Sequence, residues 1–129
     1  MITKVKGQEL RETYAKKAST AIALNCAVEV DTNGFLVPAT GSGTVVGINK
    51  REVASTDDDY AENTHIPVEV CNNRDVMEVD TSATPSQANV GKVYDFSSGG
   101  LTLDMGSTGT QAEVVGLSSG DKVFVKLAQ

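Results

Sequence analysis

Tryptophan is absent from this chain of 129 residues, and aromatic residues make up only 5% of it. So few rings argue against a ligand pocket lined by stacked aromatics, and they leave a core to be built from Val, Leu, Ile and Ala. The single histidine, His65, removes most acid–base and metal schemes at once. It stands between Thr64 and Ile66 with no second His or Cys at ligand spacing, so a strand-edge position is expected for it. Two cysteines, Cys26 and Cys71, are too few for a disulfide framework and fit no zinc motif, which suits folding in a reducing compartment. No apolar run is long enough to cross a membrane and no signal-peptide core is present, so neither a spanning segment nor Sec export is expected.

What the chain does have is acidity. Seventeen acidic residues against eleven basic ones give a formal net charge of −6. Such a surface is repelled by phosphates, so nucleic acid and anionic membrane are poor partners. The basic residues are unevenly placed: Lys4, Lys6, Arg11, Lys16 and Lys17 are five of the eleven. The first segment is therefore expected to touch something the rest does not. The length fits one domain that can bury a core without staples.

Residues 7–19 carry the only helical spacing, with Leu10, Tyr14 and Ala18 at i, i+4 and i+8. The stripe is thin, and the segment reads equally as a short helix or as an extended arm. From residue 20 the period becomes two: Ile22, Leu24, Cys26, Val28 and Val30 share one face of an expected strand that buries Cys26. Thr32, Asn33 and Gly34 follow as a hairpin turn. Further strands are expected at Leu36, at Val45 to Ile48, at Ile66 to Val70 and at Val76 to Val79, with a polar loop over residues 50–64. Val90 to Phe96, Leu101 to Met105, Val114 to Leu117 and Val123 to Leu127 complete the set, joined by Ser/Gly turns. Strands at this spacing mean an all-β sandwich or barrel.

The search for chemistry along the chain finds no catalytic group. The serines lie in Gly-rich turns rather than in a nucleophile elbow. Gly41, Gly43 and Gly47 miss the dinucleotide fingerprint, and no helix follows to receive a phosphate. Asp57, Asp58 and Asp59 are adjacent rather than alternating, so a solvated loop explains them better than a calcium site. Cys26 is expected to be buried and Cys71, at a strand–turn junction, partly exposed; neither has a neighbour that would activate it. No enzyme activity, metal or cofactor is expected.

The run Ala27-Val28-Glu29-Val30-Asp31-Thr32-Asn33-Gly34-Phe35-Leu36-Val37-Pro38-Ala39-Thr40, followed by a Gly turn and Val45-Val46-Gly47-Ile48, resembles the small head decoration proteins of tailed bacteriophages, also called cement or auxiliary capsid proteins. Their order continues in Val68-Glu69-Val70, Gly91-Lys92-Val93-Tyr94, Val115-Gly116-Leu117 and the terminal Val123-Phe124-Val125-Lys126-Leu127. The resemblance implies a small β-barrel or β-tulip-like domain over residues 20–129; the basic arm or short helix over residues 1–19 lies outside the resembling part. It implies a protein made in the host cytoplasm that binds the outer capsid surface of the virion as a homotrimer and bridges major capsid protein subunits. Lys4, Lys6, Leu10, Arg11, Tyr14, Lys16 and Lys17 are the candidate capsid contacts, and removal of residues 1–19 is expected to abolish binding. The alternative is a soluble β-barrel binding module for a glycan or host surface, against which the scarcity of Trp and Tyr weighs.

Overall fold

The computed structural model describes residues 1–128. Eleven strands follow one another: β1 (Ile2–Lys6), β2 (Arg11–Ala15), β3 (Ala27–Val30), β4 (Leu36–Pro38), β5 (Val45–Asn49), β6 (His65–Val70), β7 (Val76–Thr81), β8 (Val93–Phe96), β9 (Thr102–Asp104), β10 (Ala112–Leu117) and β11 (Lys122–Leu127). The chain is all-β; among the described residues the only helical element is a single 3₁₀ turn, Gln87–Asn89.

Five strands close into a barrel in the order β7-β11-β10-β8-β9, with β9 returning parallel to β7 through Asp80↔Thr102 and Thr81↔Leu103. Closure removes the free edges that an open sheet exposes. β1 adds to the same sheet along β7, Ile2 facing Val79. The alternating pattern explains the lining, because every second residue points inward. Met77 and Val79, Tyr94 and Phe96, Leu103, Ala112 and Val114, and Val123, Val125 and Leu127 make one core. Each fully buried Ile, Leu, Phe or Met contributes roughly 1.5–3 kcal/mol.

The second sheet has the order β2-β6-β5-β3-β4 and is antiparallel throughout. A parallel bridge from Lys16 to Leu36, with Lys17 N–H donating to the Leu36 carbonyl at 3.0 Å, rolls the end of β2 back towards β4. Both faces of this sheet are covered. Ala27, Ala39, Val45 and Ile48 join the barrel core, while Cys26, Val28, Leu36, Ile66 and Val68 close a second core with Ile22 and Val53. Consecutive residues of β3 are therefore buried, Glu29 included.

Two expectations need correction. Residues 1–19 hold no helix: they form β1 and β2, paired with β7 and β6. The helical spacing was coincidental, since Leu10 is 52% exposed while Ile2, outside that stripe, is sealed in the barrel core. The strand expected from residue 20 begins only at Ala27, and Leu24 and Val30 are exposed. Asn25 breaks the extension with a φ of 59°, a conformation Asn tolerates, and is held there by its N–H on the Asn49 carbonyl at 2.8 Å. In the turn that follows, Gly34 alone has a positive φ. Asp31 organises the rest, its Oδ1 accepting the Asn33 and Phe35 N–H groups at 2.9 and 3.0 Å. The expected hairpin turn is thus a three-residue loop, Thr32 to Gly34, ending in a left-handed glycine.

Candidate binding surface

The seven N-terminal residues divide by burial. Lys4 is an internal tie: its Nζ lies 3.2 Å from Asp75 Oδ2 and donates to the Val70 and Gln8 carbonyls at 2.7 and 3.0 Å. Lys16 is entirely buried, and its ammonium donates to the carbonyls of Asp59, Tyr60 and Glu62 at 2.7, 3.2 and 2.5 Å. Neither lysine is offered to a partner. Tyr14 packs partly against the second core, and burial, helped by the charge of Glu12, raises its hydroxyl pKa above the ordinary value.

Lys6, Leu10, Arg11 and Lys17 are exposed. Lys6, Leu10 and Arg11 flank the turn between β1 and β2, where Arg11 pairs loosely with Glu9 at 3.2 Å. An exposed pair of this kind contributes at most about 1 kcal/mol. Lys17 stands at the far end of β2, roughly 20 Å along the strand at about 3.3 Å per residue. Two of the five basic residues that made this segment look like an arm are thus spent inside the fold.

A cleft of about 450 Å³ opens beside Lys17, between β4 and the turn that joins β8 to β9, with Glu29, Asp31, Pro38, Thr40 and Ser98 around it. The turn is docked by backbone bonds: Gly99 N–H to the Ala39 carbonyl at 3.0 Å, and Ala27 N–H to the Gly100 carbonyl at 2.7 Å. The sequence reading missed this cleft apart from Lys17. Glu29 sat on what alternation marked as the polar face of its strand, and only the packing of the two cores on either side buries it.

The remaining chemical groups are accounted for locally. Asp57 Oδ2 accepts the Ala54 N–H at 2.9 Å, and Asp59 Oδ1 meets Arg51 at 2.9 Å. A hydrogen bond from Thr64, then the Arg51 contact, holds the Asp59 carboxyl below its ordinary pKa. Its contribution to stability is accordingly present above the unfolded carboxyl pKa and lost as pH falls through the lower folded value. Among the described residues no three His, Cys, Asp or Glu side chains are arranged to hold a metal ion. His65 is exposed on β6, opposite Ala15.

Cys26 is buried, and Cys71, expected to be partly exposed, is buried as well, at 6%. Burial pushes the Cys26 thiol up to about 11 and the Cys71 thiol up to about 12. At neutral pH neither forms the nucleophilic thiolate. Iodoacetamide at pH 7.5 is expected to leave both thiols unlabelled in the folded protein and to label both in denaturant, read by intact mass. Alkylation of Cys71 at a free-thiol rate would contradict the packing described for it.

No protein-family model matches the chain, and no curated protein sequence matches it either.

Proposed function

We propose that this chain is a head decoration protein of a tailed bacteriophage, one that binds the outside of the assembled shell as a homotrimer and bridges neighbouring major capsid subunits. The observation that carries this reading is the order of its hairpins. The longest resembling run folds as one unit, β3 flanked by β4 and β5, and the later resembling segments supply β6, β8, β10 and β11. A cement protein needs no reaction chemistry. It stabilises the state it binds by mass action, and many copies on a symmetric lattice multiply a modest interface.

Deleting residues 1–19 is no longer the right test, because it removes two strands, the core residue Ile2 and the internal ties of Lys4 and Lys16. Charge reversal at exposed positions is expected to keep the fold. Shells assembled from the major capsid protein of the same genome are mixed with the purified chain and imaged by cryo-electron microscopy. Density at threefold positions is expected, with occupancy reduced roughly tenfold or more in Lys6→Glu/Arg11→Glu at low salt, as lost charge complementarity allows. Bare shells with the unaltered chain, together with a monomer that responds on a glycan array, would instead favour the binding-module reading.

A further inference from the structure

Glu29, a wall residue of the cleft beside β4, carries the one buried side-chain oxygen among the described residues that has no hydrogen-bond partner, Oε2, and its carboxylate lies over Gly43 just behind that wall. Glu29 is only 5% exposed. Its Oε1 accepts the neutral Thr40 hydroxyl at 2.6 Å, and among the described residues no cation forms an ion pair with it. A carboxylate withdrawn from water in this way is costly unless a cation or several donors meet it.

The other buried charged groups are matched. Lys4 meets Asp75 at 3.2 Å, Glu69 lies 3.8 Å from Lys50, and Lys16 is held by three carbonyls. Glu29 is the exception, and it is also the one that lines an open cleft. Lys17 stands at the same cleft yet makes no ion pair among the described residues.

We infer that this cleft receives an arginine or lysine side chain from a partner protein, with the Glu29 carboxylate as the acceptor for its charged head. The volume lies at the small end of ligand pockets, enough for one long side chain and the backbone that carries it. Val37, Pro38 and Ala39 offer apolar wall to the methylene stem, which such side chains bury readily. Asp31 adds a second negative charge nearby. Guanidinium suits the site better than ammonium, because its planar fork can take both carboxylate oxygens once the exposed Thr40 hydroxyl gives way and the carboxylate turns from Gly43 into the cleft. The net charge of −6 favours approach of a basic segment.

The test is an amide-resolved NMR titration with acetyl-Gly-Arg-Gly-amide and its citrulline counterpart, which keeps the shape and removes the charge. Saturable shifts are expected at Glu29, Thr40, Ser98 and Gly99, with a dissociation constant on the order of millimolar for so small a ligand. The citrulline peptide and the Glu29→Gln variant should each bind roughly tenfold more weakly, the effect of losing one desolvated charge pair. Lys17→Met, which removes a competing cation, should bind more tightly, and so should Thr40→Val, which leaves the carboxylate without its hydroxyl donor. These two variants carry the test if Glu29→Gln fails to fold. Equal binding of both peptides, shifts spread over the whole acidic surface, or no response at all would overturn the assignment. So would self-association that weakens in Glu29→Gln without a peptide response, since the occupant would then be a second copy.

Discussion

Lys16→Met is expected to destabilise the fold by about 3–5 kcal/mol, the range for breaking a buried, fully engaged charge. Methionine keeps the stem and its packing but takes away the three donors that meet the carbonyls of Asp59, Tyr60 and Glu62. Those carbonyls belong to the loop over residues 50–64, which has no strand pairing to hold them apart from the Ile22↔Val53 bridge. Further bonds fasten the same place: Asn63 Nδ2 to the Lys16 carbonyl at 2.9 Å, and Lys16 N–H to the Thr64 carbonyl at 3.0 Å. Loss of the ammonium therefore frees a loop and opens one end of the second core together. Against a total stability of about 5–15 kcal/mol the change is large, a fall of roughly 10–20 °C in Tm for a chain of this size. The neighbouring Lys17→Met, on an exposed side chain, should shift stability by no more than about 0.5 kcal/mol. Urea unfolding of the two variants checks the contrast, and similar midpoints would contradict the buried position of Lys16.

Gly100→Ala is the second large effect, expected to cost about 3–5 kcal/mol. Gly100 has a φ of +74°, and a Cβ placed on it would lie 2.2 Å from the Ala27 carbonyl oxygen. The obstacle is backbone, so it cannot swing aside. The left-handed conformation costs a non-glycine residue about 1–2 kcal/mol by itself. The clash adds the loss of the 2.7 Å bond from Ala27 N–H to the Gly100 carbonyl, which docks the β8–β9 turn on β3. Gly99 provides the control. Its φ is +94°, but nothing lies within 4 Å of a Cβ there, so Gly99→Ala should carry only the conformational penalty of about 1–2 kcal/mol. Equal effects at the two positions, measured by thermal and urea unfolding, would mean that close approach to β3 is not what Gly100 provides.

The strands of the barrel were largely legible in the sequence, though their spacing suits a sandwich as well. Val123, Val125 and Leu127, or Met77 and Val79, alternate cleanly because one face of each strand is core and the other is water. The all-β class and most turns followed from that period and from Gly, Asn and Ser at the corners. The second sheet was harder because both its faces are covered, so alternation no longer sorts inside from outside. Glu29 looked like a surface residue for that reason.

The N-terminal segment misled for a different reason. Four-residue spacing is a local signal, whereas Lys16 finds its partners 43 to 46 residues away and Lys4 finds Val70 at a separation of 66. Nothing in the composition distinguishes a lysine that will be caged by carbonyls from one that will face solvent. Lys6, Leu10, Arg11 and Lys17 are exposed, but Lys17 belongs to a different patch from the other three.

The pairing of β1 with β7 and of β2 with β6 also orders events on the ribosome. The residues of β1 and β2 leave the tunnel well before their strand partners at residues 65–81. At about 5–20 residues per second that wait lasts several seconds, during which the segment is an unpaired strand in search of an edge. The second sheet is complete once β6 has emerged, whereas the barrel cannot close before β11, the eleventh strand described, slides between β10 and β7. Synthesis therefore delivers one half of the molecule ready to fold and leaves the other half open until β11 arrives.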